Sequence, residues 1–103
     1  MLRKIAPFAV VIATLSGTPA VSQTAKEQDC VYQAQVVEAV RQARIARVSE
    51  RKVADTIKAG NPSWPDKYSN AISLVAPWVY EMKMRDVKGK DLAGAWKEVC
   101  LGQ

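Results

Sequence analysis

The chain has 103 residues, with 15 Lys and Arg against 10 Asp and Glu, two Cys and no His. Its first 22 residues read as an export signal; about 81 then remain, enough for one small domain and too few for two domains, a dinucleotide-binding sheet or a barrel enzyme. The missing histidine removes the usual general base, metal ligand and pH switch.

In chain order, Arg3 and Lys4 form a positive start, residues 5–15 (IAPFAVVIATL) an apolar run, and Gly17 and Pro19 a break before Ala20, Val21 and Ser22. That order predicts a cleavable signal peptide over residues 1–22, cut after Ser22, with cuts after Ala20 and Ala25 as alternatives. The apolar run is about half of the roughly 20 residues needed to cross a bilayer, so the mature domain, residues 23–103, is expected to carry no stable membrane span and to be periplasmic or secreted. Removing Arg3 and Lys4 leaves 13 basic and 10 acidic residues. The resulting +3 is a mild bias, short of a polyanion binder's excess.

Export also decides how the cysteines read. Two of them in an oxidising compartment favour a disulfide between Cys30 and Cys100, which would close nearly the whole domain into one loop. No CxxC spacing is present to make a redox-active pair.

Residues 26–47 (KEQDCVYQAQVVEAVRQARIAR) lack Gly and Pro and set Val36, Val37 and Val40 on one face, which predicts a first helix. Ser49 is expected to cap a second, with Val48 and Val53 as a hydrophobic staple, Ile57 continuing the stripe and Gly60 as the stop. Residues 61–66 (NPSWPD) read as a loop. Over residues 67–85, Tyr68, Ile72, Val75, Val79 and Met82 recur at helical spacing, and Pro77 predicts a kink or a break near Ala76. Residues 86–90 read as a polar connection. Asp91 then caps a last helix whose expected stripe is Leu92, Ala95, Trp96 and Val99, with Cys100 at its edge. The fold class is therefore all-α: a small bundle of four to five amphipathic helices closed by one disulfide.

Three features are candidates for partner contact. The arginines Arg41, Arg44, Arg47 and Arg51 recur every three or four positions, and Arg44, Arg47 and Arg51 project onto the valine face of a straight helix. A bend at Val48 and Ser49 would release them to solvent; a helix running past the bundle would instead offer a basic stripe to an anionic partner. Trp64, between Pro62 and Pro65, reads either as a rigid exposed anchor or as a lid folded onto the core. Trp78 projects away from the Tyr68 and Ile72 stripe beside Pro77 and, with Tyr80, makes the third candidate surface. Lys83, Arg85, Lys88 and Lys90 follow it, interleaved with Glu81, Asp86 and Asp91, and read as a solvated face.

Residues 43–60 (ARIARVSERKVADTIKAG) resemble the helix-turn-helix of bacterial repressors, with Arg47 where that motif usually has glycine. Export separates the chain from genomic DNA, so no nucleic-acid partner is expected, and the pattern reads as two helices meeting at a corner. No nucleophile motif, paired carboxylates or metal-ligand set is present, so neither catalysis nor a cofactor is expected.

The layout of an exported helical domain closed by a disulfide is similar to two groups of bacterial envelope proteins. Small acid-stress chaperones share the size, the helicity and a two-Cys bridge. Immunity proteins that neutralise type VI amidase effectors share the beginning with Cys30 and Tyr32 and the ending with Ala95, Trp96 and Cys100. Both likenesses are of layout and carry no functional residue over. They imply the two alternatives to the main expectation: a periplasmic stress chaperone holding unfolded clients, or an inhibitor of an envelope enzyme. The main expectation is a non-enzymatic envelope protein that acts by contact with a protein partner.

Overall fold

The computed structural model describes residues 24–103; the expected signal peptide and its cuts after Ala20 and Ser22 lie outside them. Among the described residues the chain is all-α, with five α-helices, two 3-10 segments and no strand. Helix α1 (Ala25–Ile45) is the axis on which the others pack, α5 and α3 most extensively.

The start of α1 is fixed by a capping box. Thr24 Oγ1 accepts from the Glu27 amide at 3.0 Å and the Thr24 amide donates to Glu27 Oε1 at 2.8 Å, which satisfies two of the helix's unpaired donors. The buried face of α1 is Cys30, Val36, Val37, Val40 and Ala43. Arg47, with φ 67°, ends the helix and turns the chain, so the expected bend before Ser49 is present. The predicted Ser49 cap is not: its side chain accepts no hydrogen bond, and residues Glu50–Lys52 first make a 3-10 turn held by the Ser49 carbonyl. Helix α2 (Val53–Ala59) begins only after that turn, with Val53 buried and Val48 packed beside the core. Tertiary burial of the two valines places the corner without the hydroxyl.

Residues Asp66–Asn70 form the second 3-10 segment and lead into helix α3 (Ala71–Glu81), which buries Ile72, Val75, Ala76 and Val79. Of the kink or break expected near Ala76, the break is absent: the helix runs through Pro77. Pro77 and Ser73 are both exposed, so the carbonyl that the proline ring deprives of its donor lies on the solvent side, where water can satisfy it. The chain breaks instead at Met82 and Lys83, whose ψ angles of 154° and 145° are extended. Residues 86–90, read from sequence as a polar connection, belong largely to helix α4 (Met84–Gly89), whose Val87 is 0% exposed. Its core contacts, Val87 and the half-buried Met84 one turn before it, are too few to read as a periodicity.

Helix α5 (Leu92–Leu101) starts where expected, with Asp91 Oδ1 accepting from the Gly94 amide at 2.9 Å. Its stripe is rotated from the predicted one: Leu92 is buried, Ala93, Trp96 and Cys100 are partly buried, and Ala95 and Val99 face solvent. The rotation follows from the Cys30–Cys100 disulfide, which fixes Cα to Cα at 5.6 Å and so turns the Cys100 edge of the helix toward α1. Such a bridge is compatible with an oxidising, exported location.

Candidate functional site

Helices α3 and α5 both pack on α1 but only weakly on each other, and the Trp78 and Trp96 rings bridge the gap between them. Their ring centroids are 5.4 Å apart and tilted by 49°, a favourable offset geometry. The indole of Trp96 is further held by donation from Nε1 to Gln33 Oε1 of α1 at 3.0 Å. Helical spacing puts Leu74 one turn before Trp78 and Val99 one turn after Trp96. Both are open to solvent, Leu74 at 76% and Val99 at 64%. Trp96 and Val99 also line a groove of about 500 Å³, together with Lys26, Asp29, Gln33, Gln103 and the disulfide. Within that lining, Lys26 Nζ donates to the Gln103 carbonyl.

The arrangement is a preformed apolar surface with polar groups at its rim. It holds no nucleophile with a base beside it. Among the described residues no group of three or more His, Cys, Asp and Glu side chains is placed to hold a metal ion. Asp29 accepts from Tyr68 Oη at 2.5 Å. That bond, with burial second, pushes the Tyr68 phenol up to about 12, because ionisation would lose a donated hydrogen bond and face a carboxylate.

The structure separates the residues singled out from sequence. Trp64 is only 7% exposed and donates from Nε1 to Ser69 Oγ at 3.0 Å; it is folded onto the core and offers no anchor to solvent. Tyr80 is half-buried on the opposite flank of α3 from Trp78, with Oη donating to the Val48 carbonyl at 2.6 Å. Burial raises its pKa, partly offset by Arg44, whose guanidinium lies 5.2 Å from the ring centroid. Arg44 does not escape to solvent with Arg47 and Arg51: its Nη2 donates to the Met82 carbonyl at 3.1 Å, so it braces the end of α3. Arg41 does the same for α4, from Nε to the Val87 carbonyl at 2.7 Å and from Nη2 to Lys88 at 3.0 Å. Of the candidates, only Trp78 joins the apolar surface. Leu74, Trp96 and Val99 complete it; Leu74 was legible as an apolar residue off the α3 stripe, whereas Val99 was hidden by the rotation of α5.

Compared with known proteins, the chain matches no family model, no curated protein and no solved structure.

Proposed function

We propose that the protein is a non-enzymatic binding module of the cell envelope that holds one protein partner through the Leu74, Trp78, Trp96 and Val99 surface. The observation that carries this reading is the exposure of Leu74 and Val99, each one turn from a tryptophan pair already in tilted contact with Trp96 hydrogen-bonded in place. Aromatic anchors dominate binding energy, and rings fixed beforehand lose little entropy on docking. Among the described residues no polar or charged side chain is buried. Acid therefore has no buried ion to neutralise, which favours a standing surface over an acid-opened chaperone.

The test is crosslinking and affinity purification from the native envelope, with wild type beside a Leu74→Ala, Val99→Ala variant. Both positions are exposed, so the variant's thermal unfolding should stay within about 0.5 kcal/mol of wild type. A single stoichiometric partner recovered with wild type should be held at least about tenfold more weakly by the variant. Equal recovery by the two proteins, or a broad set of clients that appears only after acidification, would overturn the reading.

A further inference from the structure

The net +3 of the described residues hides a strong asymmetry. Residues 41–52 and 81–90 together hold nine basic and three acidic side chains, a net +6, whereas the other described residues carry −3. These two segments form one end of the bundle, away from the disulfide. They are tied by Arg41 to the Val87 and Lys88 carbonyls, by Arg44 to the Met82 carbonyl and by Tyr80 to the Val48 carbonyl.

With Arg41 and Arg44 committed to those braces, the remaining seven cations, Arg47, Arg51, Lys52, Lys83, Arg85, Lys88 and Lys90, are all exposed. Asp86 pairs with Arg85 at 3.4 Å and Lys90 at 4.0 Å. No carboxylate lies within 4.0 Å of the other five, and the remaining acidic groups of this end, Glu50 and Glu81, are themselves exposed. Arg47 adds a second sign. It occupies the left-handed region at φ 67°, where glycine would be less strained, so a charged side chain sits at a position that the backbone alone would not choose.

We propose that this end docks on an anionic phospholipid surface, with the apolar groove at the other end left free. Its chemistry selects the partner. None of the seven cations lines the 500, 420 or 370 Å³ grooves, so none of these grooves is a basic cradle for a small anion at this end. The two segments contain no Trp, Tyr or Phe, and the neighbouring Tyr80 ring is covered by Arg44, so there is no platform for a base or a sugar. Long cations spread over one end, five of the seven without an acidic partner, match a sheet of phosphate charge, where each basic residue near the surface strengthens binding. The disulfide fits a compartment bounded by such surfaces.

Co-sedimentation with vesicles tests this, using the purified oxidised protein with its N-terminus read by mass spectrometry. Vesicles of equal parts phosphatidylglycerol and phosphatidylcholine should bind it, pure phosphatidylcholine should not, and added salt should release it. Arg47→Gln with Arg51→Gln should weaken binding by about fivefold per charge. Lys58→Gln with Lys67→Gln makes the same change of net charge elsewhere and should have little effect; circular dichroism checks that both variants are folded. Binding to phosphatidylcholine alone, an equal loss in the two variant pairs, or tighter binding to heparin or an oligonucleotide than to the charged vesicles would overturn the proposal. None of these outcomes bears on Leu74 or Val99, so the two proposals fail separately.

Discussion

At the scale of single residues, the fold is knitted by side chains that reach across large sequence separations. Asp29 and Tyr68 are 39 positions apart, and their bond joins the first turn of α1 to the segment before α3, with Tyr32 stacked on the same ring at a 5.0 Å centroid distance. This bond predicts a pH dependence whose sign can be worked out. The Tyr68 phenol is raised from 10.0 to about 12 in the folded chain. Its contribution to stability is complete below pH 10. Above that the unfolded chain gives up the proton while the folded one keeps it, so stability falls as pH rises toward 12. An alkaline absorbance titration should show a latest step near 12, and Tyr68→Phe should remove it while leaving the rise that burial gives Tyr80. A latest step that Tyr68→Phe leaves unchanged would refute the assignment. The pairing was not legible in the sequence, nor were the bracing roles of Arg41 and Arg44, since the backbone carbonyls they hold lie 38 to 47 residues away.

At the scale of elements, legibility followed periodicity. Helix α1 and the buried stripe of α3 show repeated apolar spacing over many turns and were readable, as was the Asp91 cap, because a side-chain acceptor three residues before an amide is a local signal. The Thr24 to Glu27 box carries the same kind of signal at the head of α1. Helix α4 is too short for such a signal, since of its six residues only Met84 and Val87 pack on the core. Pro77 misleads in the other direction, its cost falling on a face that water covers. A valine comparison tests the assignment of α4. Val87→Ala should destabilise the fold by about 2 kcal/mol, as expected for methyl groups removed from a filled core. Val99→Ala, on the exposed side of α5, should stay within about 0.5 kcal/mol of wild type. Denaturant midpoints measured at constant slope check both. If Val87→Ala proved as mild as Val99→Ala, residues 86–90 would be the polar surface connection that their composition suggests.

At the scale of the whole molecule, the disulfide divides the labour between core and covalent chain. Helices α1 and α3 supply most of the buried hydrophobic side chains, whereas α5 supplies only Leu92. The last helix therefore depends on Leu92, the half-buried Trp96 and the Cys30–Cys100 bond to stay on α1. A loop closed over 70 positions removes chain entropy equivalent to about 4 kcal/mol from the unfolded state, the upper end of what real bridges deliver. Reduction should lower global stability toward that limit and free α5 before the rest. Native-state hydrogen exchange should then show residues Leu92–Leu101 losing protection while the centres of α1 and α3 keep theirs. Tryptophan emission should report the same event. Trp78 and Trp96 would part and become wetter, while Trp64, held at Ser69 and buried apart from α5, would stay in place. Uniform loss of protection along the chain on reduction would mean that the bundle unfolds as one unit, with α5 inside the cooperative core. Retention of the stack in the reduced protein would mean that Trp96 and Leu92 hold the helix unaided. Because the apolar surface is built from α3 and α5 together, the expected outcome also makes partner binding depend on the oxidised bridge.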